Sequence, residues 1–334
     1  MYEKKFHNED LSKFNFLVTG AAGFIGSHLV EYLMKYNAGK VRALDNLATG
    51  YAKNLETFSG KPGFEFINGD IRDAETCRKA TEGIDIIFHE AALGSVPRSI
   101  KDPITSNEVN IGGFLNMLVA AKDNKIKRFI YASSSSVYGD SPKLPKVEAE
   151  IGKPLSPYAA TKLMNEVYAD VFFKTYGMKI MGFRYFNVFG PRQNTKGAYA
   201  AVIPLFINSL INKTSPKIDG DGEQTRDFTF ISNVVRANIN AAFTENEEAF
   251  NQVYNLAVGD RTSLNSMVQI LKDISGVNVE ILHGERRTGD VRDSLADISK
   301  AKRLIGYEPE VRIREGLEIT MEWFKSNQAF INKQ

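Results

Sequence analysis

The 334-residue sequence has one cysteine, Cys77, and four histidines. A single thiol excludes an internal disulfide framework and a multi-cysteine zinc site, and it is compatible with a reducing compartment. The histidines form no short metal-ligand pattern, so we expect no metal site. They are His7, His28, His89 and His283.

The sequence also lacks charge blocks and long apolar runs. With 42 basic and 40 acidic residues the net charge is +2, so nucleic acid is not an expected partner. No apolar run approaches the roughly 20 residues needed to cross a bilayer, and the opening residues lack the apolar core of a secretory signal. We therefore expect a cytoplasmic protein without membrane association. The opening is expected to form a short extra helix packed on the domain.

Short strand-like runs alternate with longer amphipathic segments through the first half of the chain. The runs are NFLVTG, VRALD, FEFING, IDIIFHEAA, KRFIYASS and KIMGFRYFNVFG. This rhythm predicts an α/β fold with a Rossmann-type doubly wound parallel sheet covered by helices on both faces. After Asn187 the pattern becomes irregular, which predicts a smaller second lobe. The run QVYNLAVG at 252–259 predicts a strand that returns to the main sheet.

Gly20, Gly23 and Gly26 follow the first predicted strand and open a helical pattern in GAAGFIG. Such glycines permit a tight turn and a close approach to a pyrophosphate, and the helix N-terminus supplies free N–H groups. A plain strand-to-helix turn is the alternative. Asp45 ends the second predicted strand, where a carboxylate can accept hydrogen bonds from a ribose and repel a 2′-phosphate, which favours NAD over NADP. A turn aspartate is the alternative there.

Two further segments are predicted to lie along the same cofactor. GDIRD places Asp70 and Ile71 beside the adenine, and Ala91 begins the small residues of HEAALGSV, which let the backbone approach the cofactor. A packed crossover connection would also need small residues at that point.

Tyr158 and Lys162 in SPYAATK stand at positions i and i+4, on one face of a helix. An ammonium beside the phenol favours the phenolate, so the pair predicts a base. A surface tyrosine beside a solvated lysine is the alternative. YASSSSVYG follows the fifth predicted strand, so its hydroxyls are expected near the carboxyl ends of the sheet, where open α/β folds bind ligands.

These motifs, in this order, resemble the nicotinamide-dependent short-chain dehydrogenases/reductases. From Asn15 to about Trp323 the chain resembles the extended branch of that family, the nucleotide-sugar epimerases and dehydratases. It is most similar to the UDP-N-acetylglucosamine 4-epimerases, through AALGSVPRSIKDPITSN, LSPYAATK, RYFNVFGPRQ, GDGEQTRDF and RTGDVRDSLADISKA. The resemblance implies a tightly bound NAD, a UDP-sugar substrate and a homodimer formed through helices at 103–122 and 157–176.

The implied reaction is C4 epimerisation of a UDP-hexose, with UDP-GlcNAc and UDP-GalNAc as the expected pair, through a 4-keto intermediate and hydride return to the opposite face. The alternatives are the corresponding uronic acids, the non-acetylated pair UDP-Glc and UDP-Gal, a nucleotide-sugar dehydratase, and a non-catalytic NAD-binding regulator. Family dehydratases and decarboxylases carry acids directly before VYG, where this chain has Ser135 and Ser136. The retained tyrosine, lysine and serine argue against the regulator.

The change of pattern after Asn187 predicts two interleaved domains. A NAD-binding domain is expected at 1–186, to which 228–260 returns, and a nucleotide-sugar-binding lobe at 187–227 and 261–334.

By the same resemblance Tyr158 is the base, Lys162 its partner and nicotinamide-ribose ligand, and Ser134 the hydroxyl on the reacting sugar oxygen. Ser133, Ser135 and Ser136 remain alternatives for Ser134. The implied cofactor set adds Phe24, Ile25, Asn46 and Asn110.

The implied substrate set is Ser95, Arg98, Ser134, Ser136, Asn187, Arg226, Arg287, Asp290 and Ser294. Arginine suits a diphosphate because its fork binds phosphate in a bidentate way. Ser294 stands where epimerases restricted to glucose and galactose hold a bulky tyrosine, so it leaves room for an N-acetyl group. Arg98 is expected near the sugar, where it could instead favour a carboxylate.

Overall fold

The computed structural model describes residues 1–194, 201–285 and 292–328. The strands are β1 (Asn15–Thr19), β2 (Lys40–Asp45), β3 (Phe64–Asn68), β4 (Ile86–His89), β5 (Arg128–Ser134), β6 (Ile180–Tyr185), β7 (Val188–Phe189), β8 (Lys217–Asp219), β9 (Thr225–Arg226), β10 (Thr229–Phe230), β11 (Gln252–Leu256), β12 (Thr262–Ser263) and β13 (Leu282–Gly284). The α-helices are α1 (Phe24–Lys35), α2 (Ala74–Thr81), α3 (Val96–Lys101), α4 (Pro103–Asn107), α5 (Phe114–Asp123), α6 (Pro157–Tyr176), α7 (Val202–Ile211), α8 (Ile231–Phe243), α9 (Leu264–Ser275), α10 (Ser299–Ile305) and α11 (Ile313–Ser326).

Seven parallel strands form the main sheet in the order β11-β6-β5-β4-β1-β2-β3. The predicted Rossmann-type fold is therefore confirmed. The strand order reverses between β1 and β4, where the register pairs Thr19 with His89. Ligands bind open α/β sheets in the crevice outside such a switch point, so the site is expected there.

Both faces of the sheet are buried. In β1, Phe16 and Val18 belong to a core cluster shared with α1 and α8, while Leu17 belongs to a second cluster shared with α2, α5 and α6. This two-sided burial explains why the central strands are apolar throughout. The first cluster also contains Met267 of α9, so packing is continuous with the second half of the chain. The boundary between the two expected domains stays a prediction.

The first ten residues do not form the expected short helix. Only a single 3₁₀ turn, Leu11–Lys13, follows them. Tyr2 has a left-handed backbone with φ of 62°, its side chain is buried, and its hydroxyl lies 2.9 Å from Nδ1 of His28. Phe6 stacks on Tyr32 of α1 with ring centroids 5.1 Å apart. The helix expected in residues 1–16 is therefore reduced to one 3₁₀ turn, because Tyr2 and Phe6, rather than one apolar helix face, attach this segment to α1.

Within the described ranges, every helix is too short or too polar to span a lipid bilayer.

Candidate active site

The turn between β1 and α1 is packed too tightly for side chains. Gly20 has a φ of +65°, and a Cβ there would lie 2.8 Å from the backbone nitrogen of Ala91. A Cβ on Gly26 would lie 2.2 Å from the carbonyl oxygen of Gly20. No side chain caps the N-terminus of α1 at Gly23, so the first N–H groups of that helix are left for an anion. The glycine turn and the N-terminus of α1 therefore fit the pyrophosphate of a dinucleotide.

A cleft of about 490 Å³ runs along the carboxyl ends of the strands. It brings together the predicted residues Gly20, Gly23, Phe24, Ile25, Gly26, Asp45, Asn46, Asp70, Ile71, Ala91, Ser134, Tyr158, Lys162 and Asn187. The predicted residues that lie outside its lining are Ser95, Arg98, Asn110, Ser136, Arg226 and Ser294. The predicted ligands Arg287 and Asp290 lie outside the described residues. Within those residues, no group of three or more His, Cys, Asp or Glu side chains could hold a metal ion.

Asp45, the predicted ribose ligand, is buried at the end of β2 and holds two loops. Its Oδ2 accepts a hydrogen bond of 2.9 Å from the backbone N–H of Ala22, and Oδ1 accepts one of 2.7 Å from Leu47. Burial raises the pKa of this carboxyl, and the two N–H donors act against that rise. Asp45 thus stabilises the glycine turn, and its contact with a ribose stays a prediction.

A polar cluster lies at the adenine end predicted from the sequence. Asn46 donates a hydrogen bond of 2.9 Å to Asp70, which also accepts one of 2.7 Å from Nη2 of Arg72. The Arg72 guanidinium is the main reason that the pKa of Asp70 falls to about 2. Asp70 therefore remains a carboxylate at neutral pH.

Asn110 lies in the one-turn π-helix Glu108–Gly113 between α4 and α5 and is buried. Its Oδ1 accepts a hydrogen bond of 2.8 Å from the Leu93 N–H, and its Nδ2 donates one of 3.1 Å to Thr161 of α6. Asn110 therefore joins the loop after β4 to the helix that carries Tyr158. Direct contact with the cofactor stays a prediction for this residue.

Helix α6 begins where Ser156 caps it, because the Ser156 hydroxyl accepts a hydrogen bond of 3.1 Å from the Ala159 N–H and Pro157 occupies the first position. Tyr158 therefore lies in the first turn. Its phenol lines the same cleft as Ser134 at the end of β5, and the Ser134 hydroxyl acts to lower the pKa of the phenol. This position places the predicted base at the carboxyl end of the sheet.

Ser134 is the serine of the SSSS run whose hydroxyl acts on the pKa of Tyr158. Its Oγ accepts hydrogen bonds from the N–H and the hydroxyl of Ser136, at 3.2 and 3.0 Å, so its own proton is available to the tyrosine oxygen. Ser133 instead donates a hydrogen bond of 2.6 Å to Glu166. The structure thus separates two serines that the sequence left as alternatives.

Lys162 is buried below Tyr158, and its Nζ donates a hydrogen bond of 2.8 Å to the carbonyl oxygen of Ala132. Burial lowers the pKa of Lys162 to about 8, although Glu90 and Glu166 act against this shift. Burial also raises the pKa of Tyr158, and the Ser134 hydroxyl acts against that rise. The net shift of the Tyr158 pKa is therefore upward because desolvation dominates, and the expected lowering of this pKa by Lys162 stays a prediction.

Sequence reasoning missed Glu90, which follows β4 and lines the same cleft. The Tyr185 hydroxyl donates a hydrogen bond of 2.8 Å to its carboxyl group. Burial raises the pKa of Glu90 to about 7, while the charge of Lys162 acts in the opposite direction. The sequence feature that could have indicated Glu90 is a carboxyl residue directly after a predicted buried strand, in HEAA.

Several predicted substrate residues have structural contacts of their own. Ser95 caps α3 by accepting a hydrogen bond of 3.2 Å from the Arg98 N–H. Arg226 donates one of 2.8 Å to the carbonyl oxygen of Thr225, which also accepts one of 3.1 Å from the Ser294 N–H. Arg226 and Ser294 are therefore brought together beside β9, although they do not line the cleft.

The model of the NAD dependent epimerase/dehydratase family matches residues 16–257. A UDP-glucose 4-epimerase of Mycolicibacterium smegmatis is 36% identical over 312 residues, which cover 93% of this chain and 98% of that protein. The UDP-N-acetylglucosamine 4-epimerase from Methanobrevibacter ruminantium M1, solved with UDP-N-acetylmuramic acid, is 41% identical with a TM-score of 0.89 and covers 94% of this chain and 99% of that one. The UDP-glucuronic acid 4-epimerase from Bacillus cereus, solved with UDP-glucuronic acid and NAD, is 34% identical with a TM-score of 0.86 and covers 93% and 99%. These relatives are all named as 4-epimerases and differ in the sugar.

Proposed function

The chain belongs to the NAD-dependent epimerase/dehydratase family, and from that premise we propose that it interconverts the C4 epimers of a UDP-hexose, with UDP-GlcNAc and UDP-GalNAc as the preferred pair. The observation that carries the reaction is one cleft that is lined by Tyr158, Ser134 and buried Lys162 together with the glycine turn. NAD is the cofactor, and the N-terminus of α1 and Asp45 are the groups that would hold it. When bound, NAD supplies the hydride acceptor and donor for carbon 4.

Each of the three polar side chains has a separate task in this proposal. Tyr158 removes the proton of the sugar 4-hydroxyl and later returns it, while Ser134 donates a hydrogen bond to the same oxygen. Since burial raises the pKa of Tyr158, its phenolate needs a nearby positive charge. Lys162 still carries that charge at pH 7, because its pKa is lowered only to about 8.

The preference for an N-acetylated sugar is supported by the small side chain of Ser294 and by the 41% identical relative that is a UDP-N-acetylglucosamine 4-epimerase. The Ser294 N–H donates to the carbonyl oxygen of Thr225, next to Arg226, and we assign Arg226 to the substrate diphosphate. A larger residue at this position would fill the space needed for the acetamido group.

The reaction is tested by incubating the purified protein with UDP-GlcNAc, with and without added NAD, and following the anomeric proton signal of the C4 epimer by NMR. UDP-glucose and UDP-glucuronic acid are run in parallel. We expect the fastest conversion with UDP-GlcNAc. No epimer from any of the three sugars would refute the reaction, whereas faster conversion of a sugar without the acetamido group would refute the substrate preference.

We also propose a homodimer that buries apolar side chains of α4 and α6. Ile104 is 71% exposed, and Val167, Val171 and Met164 are 48%, 46% and 41% exposed. The three residues of α6 follow the spacing of one helix face, and a second copy would cover such a stripe.

Changing Val167→Asp should convert the dimer to a monomer in light scattering after gel filtration. Leu282→Asp is the matched control, because Leu282 is also 48% exposed but lies on β13. A monomeric wild type, or a Val167→Asp protein that remains dimeric, would contradict the proposal.

A further inference from the structure

Three residues spaced four apart on α6, Tyr158, Lys162 and Glu166, interact with residues at the end of β5. The Ser134 hydroxyl of β5 acts on the pKa of Tyr158, and Lys162 donates a hydrogen bond to the strand backbone. The third contact is the hydrogen bond of 2.6 Å from the Ser133 hydroxyl to Glu166. Hydrogen bonds therefore attach the helix to the strand at Lys162 and, one turn later, at Glu166, and Glu166 has no part in the proposed chemistry.

Arg184 of the neighbouring strand β6 holds the third contact in place. Its Nε and Nη2 donate to the two oxygens of Glu166 at 2.9 and 2.7 Å, and the two side chains are only 4% and 8% exposed. Its Nη1 donates a hydrogen bond of 3.0 Å to the carbonyl oxygen of Glu148, and its guanidinium lies 4.8 Å from the ring centroid of Tyr138. Ser133 of β5 and Arg184 of the adjacent strand β6 thus bind the same carboxylate of α6.

Neither Glu166 nor Arg184 lines the cleft. A buried ion pair also adds little to stability, since two desolvated charges are often replaced by apolar residues without loss. A bidentate arginine–carboxylate contact does, however, fix geometry, because both hydrogen bonds must align. The pair is therefore suited to setting the position of α6 rather than to strengthening the fold.

We propose that Glu166 and Arg184 are positioning residues, which hold α6 against β5 so that the hydroxyls of Tyr158 and Ser134 and the ammonium of Lys162 stay in register. The kinetic part of this inference rests on the proposed function. Breaking the pair should let the first turns of α6 and the end of β5 move relative to each other. A displacement of about 1 Å at reacting groups can cost about 100-fold in rate, so the loss should appear in kcat rather than in KM.

The first test measures amide hydrogen exchange in the protein freed of nucleotides. Glu166→Gln should speed exchange at 133–138 and 157–163 and leave the other strands unchanged. Arg42→Gln is the matched control, because Arg42 is also a buried strand arginine, paired with Glu65 at 2.9 Å and bound to the Ala80 carbonyl oxygen at 2.8 Å. Faster exchange throughout the chain, or the same pattern in both variants, would overturn the positioning role.

Two further variants keep this test decisive if Glu166→Gln folds poorly. Ser133→Ala removes one of the three hydrogen bonds but retains the ion pair, and it should speed exchange at the same two segments by a smaller factor. The double change Glu166→Gln with Arg184→Gln removes both charges and should resemble Glu166→Gln. If exchange at 133–138 and 157–163 is unchanged both in Ser133→Ala and in the double variant, the link between the Glu166–Arg184 pair and these segments is refuted.

The second test is kinetic. Glu166→Gln should lower kcat by about 10- to 100-fold with KM within about twofold of the wild type. Arg184→Lys should retain more of kcat than Arg184→Gln. A sugar deuterated at carbon 4 should give a larger isotope effect in the variants, because the chemical step becomes slower. An unchanged kcat, or a rise in KM alone, would contradict the inference. If the wild type epimerises no sugar, the proposed function fails, and the exchange test still decides the positioning role.

Discussion

Replacing Gly26 by alanine tests the argument that the glycine turn is closed by backbone contacts. The new Cβ would lie 2.2 Å from the Gly20 carbonyl oxygen and 2.9 Å from the Ala21 Cα, which are backbone atoms and cannot rotate away. Such overpacking costs about 1–3 kcal/mol, whereas alanine gains about 1 kcal/mol over glycine in a helix. Gly112 is the matched control, because a Cβ there would meet nothing within 4 Å.

We therefore expect the Gly112→Ala protein to be more stable than the Gly26→Ala protein by about 1–3 kcal/mol in urea unfolding of the nucleotide-free proteins. Because the added Cβ would displace the turn, the Gly26→Ala protein should also bind NAD at least about tenfold more weakly, which corresponds to about 1.4 kcal/mol. Calorimetric titration measures this difference in affinity. Equal unfolding free energies for the two variants, or NAD affinities within twofold, would refute the reasoning about the turn.

The remaining predictions concern the base Tyr158, the acid Glu90 and the proposed sugar pocket at Ser294. Tyr158→Phe should abolish epimerisation in the NMR assay while the protein still binds NAD, and substantial residual turnover would exclude Tyr158 as the main base. Because burial raises the pKa of Glu90 from 4.5 to about 7, folding favours its protonated form, so the unfolding free energy should fall as the pH rises through that interval. Glu90→Gln should remove about 1–3 kcal/mol of this fall, measured by urea unfolding at several pH values. If the unfolding free energies of the wild type and the variant change with pH in parallel, the raised pKa of Glu90 is contradicted. Ser294→Tyr should lower kcat/KM for UDP-GlcNAc by at least about tenfold more than for UDP-glucose, with Ser294→Ala as the control, and an equal loss for both sugars would show that this position does not set the preference.

The sequence predicted those features that depend on neighbouring residues in the chain. The turn at Gly20, the start of α6 before Tyr158 and the alternation of strands and helices each follow from local backbone preferences and apolar spacing. Their order along the chain then indicated one cleft at the carboxyl ends of the strands, and the structure collects most of the predicted cofactor residues there.

Features that depend on distant partners could not be predicted in the same way. The bond from Lys162 to the Ala132 carbonyl requires knowing how α6 packs on β5, and the direction of the Tyr158 pKa shift requires knowing how deeply the phenol is buried. The contact between Glu166 and Arg184 depends on which strand lies next to β5. Periodicity gives the buried face of an element but not its partner across the core.

The two hydrogen bonds that Asp45 accepts bear on any attempt to redesign the enzyme for NADP. The usual exchange of an acidic residue for a small neutral one would remove the expected repulsion of a 2′-phosphate, but it would also release the N–H groups of Ala22 and Leu47. An engineer would therefore have to introduce a substitute acceptor for both amides alongside any arginine meant for the extra phosphate. Without such an acceptor, a change of coenzyme preference at this position would weaken pyrophosphate binding.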